Sequence, residues 1–221
     1  MDERMVRIDK FFKHLISINI NLNVESILNE LKKYEIEENK LGKVDGIHEK
    51  LINDYRETKT INVFKYQEKE PFCHLINLFP DNERWEKIAK ITSIKKTTPG
   101  RKTSPNKDPI KLYLSLDKEH LFKGSKIIFN YLVDENIEHI SNVANSIRTD
   151  NIIIRVFNKK DAEKIINFVN THPYLNQGHL KTNPFLMNVG IVGLAQDNYN
   201  SYYNVVAAFI KEYLKDCKKK N

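Results

Sequence analysis

Arginine and aspartate lie close together in the run Arg148-Thr149-Asp150-Asn151, which leads directly into Ile152, Ile153, Ile154 and Arg155. An arginine fork binds a phosphate or a carboxylate through two parallel hydrogen bonds, a geometry lysine does not reproduce. Arg155 is the more unusual of the two arginines, because a charge inside a β-branched, strand-forming run must be paired or face a pocket. Two readings are open. Either Arg148 and Arg155 line an anion pocket in which Asp150 orients an arginine, or they form structural salt bridges with Asp150, Asp161 or Glu163.

Two further clusters could join such a pocket. In Lys181-Thr182-Asn183-Pro184-Phe185 the proline fixes its own torsion and biases Asn183 towards extended backbone. That turn either holds the Asn183 amide at a site rim beside Lys181, or simply starts a strand and buries the phenylalanine. In Asp197 to Ser201 the serine is placed to cap a final helix, and the free amides of a helix start also attract anions. Seven histidines are scattered along the chain without zinc-motif spacing. His139 lies shortly before the Arg148 cluster and is the candidate general acid, against a plain structural role. Adjacent Cys73 and His74 point to opposite faces of a strand and so do not form a nucleophile and base. Glycine-rich phosphate loops, the GxSxG elbow and the dinucleotide fingerprint are absent, and neither a cofactor nor a metal is expected.

The elements that must position these residues are legible as periodicity. Met5, Ile8, Phe11, Phe12, Leu15 and Ile16 predict an amphipathic helix; Asn23 predicts the cap of a second helix, with Val24, Ile27, Leu28 and Leu31 as its buried stripe. Ile47, Leu51, Ile52 and Tyr55 suggest a third. The period then changes to strands at 61–66 and 88–94, with Trp85 as a core anchor. Residues 97–109 carry Pro99-Gly100, Pro105 and Pro109 and read as a basic linker. Beyond it come strand 110–116, helix 118–132, strand 151–157, helix 160–170, a short strand at 189–194 and a helix at 201–214. The expectation is an α+β (mixed α/β) protein: a mainly helical region 1–96, the linker 97–109 and a domain 110–221 whose sheet is packed by helices.

Composition narrows the function classes. The chain has 221 residues, 40% apolar and 29% charged, which are ordinary globular values. Its net charge of +7 is concentrated in Lys95, Lys96, Arg101, Lys102 and Lys107 and in Lys218 to Lys220, a linker and a tail. Such segments raise encounter rates with nucleic acid, or serve only solubility. With two distant cysteines, a charged N-terminus and no apolar run long enough for a bilayer, a cytoplasmic protein without membrane contact is expected.

The strand KLYLSL, the pattern RTDNIIIRV, the turn NPF and the run NSYYN before a final helix, in that order over residues 111–214, resemble the HopA-type bacterial effector family, related in fold to the phosphothreonine lyases. The resemblance implies a pocket that grips a phosphorylated side chain, and delivery into a host cytosol. It further implies a lysine base on a strand upstream of the Arg-x-Asp pattern, but His139-Ile140-Ser141-Asn142-Val143 contains no lysine. The function expected is recognition of a phosphorylated protein or a phosphate-bearing small molecule through Arg148, Arg155, Lys181, Asn183 and Ser201. A degenerate lyase activity, with His139 as acid, is attached to that reading. The alternative is a non-enzymatic module of a bacterium or mobile element that inhibits a partner protein or binds nucleic acid through the linker. KLYLSL and NIIIRVFNKKDAEKIINFVN also look like an RNA-recognition module, whose strand aromatics stack bases; Ile152 and Ile154 stand at its stacking positions and only Tyr113 is aromatic.

Overall fold

Apolar residues at helical spacing open the chain as expected. The computed structural model of the protein describes residues 3–55, 61–63, 72–77, 110–196 and 201–219. Helix α1 (Glu3–Ser17) buries Phe11 and Leu15, and α2 (Val24–Lys33) buries Ile27 and Leu31. Asn23 caps α2, its Oδ1 accepting from the Ser26 amide at 2.8 Å. Strand β1 (Gly42–Lys43) and helix α3 (Ile47–Tyr55) follow. Strands β2 (Ile61–Val63) and β3 (Phe72–Asn77) come next. The strand expected at 88–94, Trp85 and the basic linker lie outside the described residues.

The second half supplies β4 (Ile110–Leu114), α4 (Leu121–Asp134), β5 (His139–Ala144), β6 (Ser146–Ile147), β7 (Ile152–Val156) and α5 (Lys159–Thr171). It ends with α6 (Pro173–Gln177), β8 (Met187–Val189), β9 (Val192–Gln196) and α7 (Tyr202–Lys219). The main sheet is antiparallel throughout, in the order β2-β3-β5-β7-β4-β9-β8, and β1 pairs separately with β6. The path β4-α4-β5-β7-α5-β9 is a split β-α-β motif, with β7 inserted antiparallel between β4 and β5. Strand β5 does not show in the local pattern, because His139 and Ser141 occupy its buried face beside Val143. The fold is α+β. Strands β2 and β3, before residue 97, belong to the same sheet as β4, β5, β7, β8 and β9.

Each face of the sheet carries its own core. Leu112, Leu114, Ile152, Ile154 and Val156 pack with Ile128, Phe129 and Leu132 of α4 and Ala162, Ile165 and Val169 of α5. Tyr113, Ile153 and Ala195, on the opposite face, pack with Phe11 and Leu15 of α1, Ile27 and Leu31 of α2, and Tyr203, Ala207, Ile210 and Leu214 of α7. This corrects the RNA-recognition expectation. Ile152 and Ile154 lie on the face under α4 and α5, and Tyr113 is buried against Tyr203, the rings stacked at 5.8 Å and 9°. A tyrosine of α7 thus takes the place where a base would stack.

Candidate functional site

Helix α2 ends with carbonyls that have no partner within the helix, and the polar clusters of the second half supply the missing donors. The Leu31 carbonyl accepts from Thr149 Oγ1 at 3.0 Å and from Asn183 Nδ2 at 2.9 Å; the Lys32 carbonyl accepts from the Thr149 amide at 2.7 Å. Thr149 Oγ1 also meets Tyr203 Oη at 3.1 Å. Asn151 closes a ring with the Leu116 backbone, donating to its carbonyl at 2.6 Å and accepting from its amide at 3.0 Å. Ser115 Oγ donates to the Arg148 carbonyl at 2.7 Å. Arg148 through Asn151 are all buried.

Within this junction Arg148 and Asp150 form a two-point pair, Nε to Oδ1 and Nη2 to Oδ2, the second at 2.8 Å. In the NPF turn, Asn183 Oδ1 accepts from the Phe185 amide at 3.0 Å, which locks the bend that Pro184 starts. Two arginines of α1 fasten the turn from outside. Arg4 Nε donates to the Pro184 carbonyl at 2.9 Å, while Arg7 donates to the Thr182 carbonyl at 2.6 Å and pairs with Glu35 at 2.7 Å. Lys181, just before the turn, is exposed.

Two basic groups at the junction have lowered pKa values. Burial lowers the pKa of the half-buried Lys32 ammonium, and the nearby Arg148 guanidinium lowers it further; the attraction of Asp150 offsets only part of this. Burial lowers His179 as well, with Arg7 adding repulsion. The Tyr203 hydroxyl is held well above its ordinary pKa by burial and then by Asp150. The sequence did not single out Lys32, Arg7, His179 or Tyr203. Lys32 and Lys33 at the end of α2 look like ordinary charges complementing the helix dipole, and only the docking of α2 on the Arg148 segment separates their environments.

The structure thus brings together Arg148, Asp150 and Asn183, with Lys181 exposed two residues before Asn183, and Ser201 begins the helix whose Tyr203 reaches Thr149. The Ser201 carbonyl accepts the first helical bond, from the Val205 amide at 3.2 Å. Asp197 to Asn200 lie outside the described residues. His139 and Arg155 are not part of the junction. His139 pairs with Val156, whereas the Arg148 segment enters β7 at Ile152, a strand length of roughly 13 Å away at about 3.3 Å per residue. The His139 ring is fully buried and stacked on Phe129 at 6.2 Å, with Nδ1 2.6 Å from Ser141 Oγ; burial pushes its pKa down to about 3. There it has no path to a proton on a ligand held by Arg148. Arg155 stands opposite Lys111 and Ile140, on the sheet face away from α4 and α5.

A groove of about 1090 Å³ opens elsewhere, between α5, Phe185, Tyr202 and the hairpin β8–β9, and its lining is mostly apolar. Among the described residues no helix is long and apolar enough to cross a membrane.

No family model and no curated protein matches the chain. Among solved structures, the effector protein from Pseudomonas syringae pv. syringae strain 61 is similar in fold, with a TM-score of 0.59 at 10% identity. The similarity covers 96% of this chain and 87% of that one, so it includes the N-terminal helices as well as the split motif.

Proposed function

We propose that this is an effector-type protein, HopA-like in fold, that recognises a phosphate-bearing ligand or a phosphorylated protein partner at the junction of α2 with the Arg148 and Asn183 segments. One observation carries the reading. The half-buried ammonium of Lys32 sits beside Arg148 in a field where repulsion outweighs the attraction of Asp150. An anion bound at Lys32 offsets that repulsion, with Arg148 behind it as a fixed charge and Lys181 as a further cation to draw it in. The fold likeness to a bacterial effector supports delivery into a host cell.

The lyase form of the reading needs a base, and Lys32 is the group that fits. It comes from α2 rather than from the strand before Arg148, and its lowered pKa gives more neutral amine near pH 7 than an exposed lysine has. Elimination would take a carbon-bound proton to the Lys32 amine and release inorganic phosphate from a phosphothreonine, leaving a carbon–carbon double bond.

Lys32→Met tests both levels. Wild-type protein is expected to gain melting temperature with phosphate or a phosphothreonine peptide, and the variant to lose at least tenfold in affinity while keeping its unliganded melting temperature. Phosphate release from the peptide, absent in the variant, establishes the lyase form; binding without release leaves recognition alone. Equal binding by both proteins, or none by either, removes the site.

A further inference from the structure

We propose that the apolar groove is the subsite for residues flanking the phosphate, so that the ligand is an extended segment of a phosphorylated protein and not a phosphate-bearing small molecule. The inference rests on the anion site proposed at Lys32. Turn and groove share a wall. Asn183 meets the end of α2 through the Leu31 carbonyl, and Phe185, two residues on, lines the groove. The Leu186 amide closes the turn on the Asn183 carbonyl at 3.1 Å, which keeps its two ends within about 7 Å of each other. Both walls of the groove are fixed by hydrogen bonds. On one side Tyr202 Oη donates to the Phe185 carbonyl at 2.7 Å, beside the Arg4 bond to Pro184. On the other, Asn170 of α5 clamps the β8–β9 turn, donating to the Val189 carbonyl at 3.0 Å and accepting from the Ile191 amide at 2.9 Å. Gly190 in that turn has φ 61°, and a methyl group there would run into Asn170.

The sheet edge selects a peptide as the occupant. Among the described residues β8 stands last in the strand order, and all three of its residues are exposed. Strand edges are ordinarily protected by charge, proline or a covering element. Met187-Asn188-Val189 carries neither charge nor proline, and its two apolar side chains, 58% and 42% exposed, line the groove. Asn188, between them, accepts from Thr182 Oγ1 at 2.6 Å and ties the strand back to the turn. A peptide strand added along β8 pairs with its backbone while alternate side chains enter the groove. At about 1090 Å³ the groove is at the upper end of ligand-site size and has room for several side chains, more than a phosphate group occupies. An extended chain advances about 3.3 Å per residue, so the span of the turn and half of β8, roughly 12 Å, places the apolar residue about three to five residues from the phosphorylated one.

Fluorescence anisotropy with phosphothreonine peptides, leucine being moved through the third to fifth positions on either side, reads the proposal; thermal shift with inorganic phosphate reads the anion site alone. The full chain is expected to bind the best leucine peptide at least tenfold tighter than its serine counterpart. Met187→Glu, at an exposed position, is expected to lose that preference while keeping the wild-type shift with inorganic phosphate, and Met187→Leu to retain both. Equal affinity for leucine and serine peptides, or a preference that survives Met187→Glu, overturns the groove assignment and leaves the anion site standing. Absence of any phosphate shift and of any phosphopeptide binding removes the anion site and this inference with it. Leucine peptides that bind as well without their phosphate overturn the link, and make the groove a docking site of its own.

Discussion

Arg148 shows how one side chain can answer to two readings. Its guanidinium is spent on Asp150 through two bonds, and both groups are buried, so the structural salt bridge is real. Neighbouring Thr149 and Asn151 are likewise spent on backbone. A buried pair contributes little net stability relative to apolar packing, but removing one partner strands the other charge. Arg148→Ala is therefore expected to destabilise the protein by about 3 to 5 kcal/mol in urea unfolding, and Arg148→Met with Asp150→Leu by far less. A loss below about 1 kcal/mol for the single variant would mean that Asp150 finds another partner or water. The proposed anion site consequently rests on Lys32, with Arg148 contributing field rather than a free fork.

Helix α4 illustrates an element whose sequence preference and packing disagree. Gly124 lies inside it, where alanine would favour the helix by about 1 kcal/mol. A methyl group at this position would run into the Leu116 side chain and come within 3.2 Å of Leu175. The glycine lets α4 close over the end of β4, the same end that carries Ser115 and Leu116 into the junction. Gly124→Ala is expected to lower stability by about 1 to 3 kcal/mol despite its helix propensity, because Leu116 is buried and must shift. Stabilisation in a thermal melt would show that Leu116 relaxes freely.

At the scale of the whole molecule, burial sets the response to acid. His139 has its pKa pushed down to about 3, and His48 and His179 are also lowered, in each case by burial first. An unfolded chain binds these protons near pH 6.5, so between pH 6.5 and 3 the unfolded state holds more protons than the native one. The stability these neutral histidines contribute is complete above pH 6.5 and is lost as pH falls towards 3, with a slope on the order of 1 kcal/mol per pH unit for His139. Denaturant unfolding from pH 7 to 4 is expected to show that fall, and His139→Phe, which keeps a ring against Phe129, is expected to flatten it. An unchanged slope in the variant would assign acid sensitivity to other groups.

Much of the scaffold is legible in the sequence. Apolar spacing located α1, α2, α4, α5 and α7; Asn23 announced its cap; and the isoleucine run announced β7, because 3.6- and 2-residue periods record which face of an element is buried. Strand β5 was not legible, since His139 and Ser141 stand on its buried face and break the pattern. The clusters Arg148–Asp150 and Lys181–Asn183 were recognised as polar residues needing an explanation, yet their partners were not. Leu31, Lys32, Arg7 and Tyr203 are separated from them along the chain by up to about 175 residues and meet them only through tertiary packing. Local sequence determines which face of each element is apolar and where polar side chains interrupt it. Which carbonyl they satisfy, which charge they face and whether His139 or Lys32 stands beside Arg148 is decided by the closing of the sheet and the docking of α1, α2 and α7 across it.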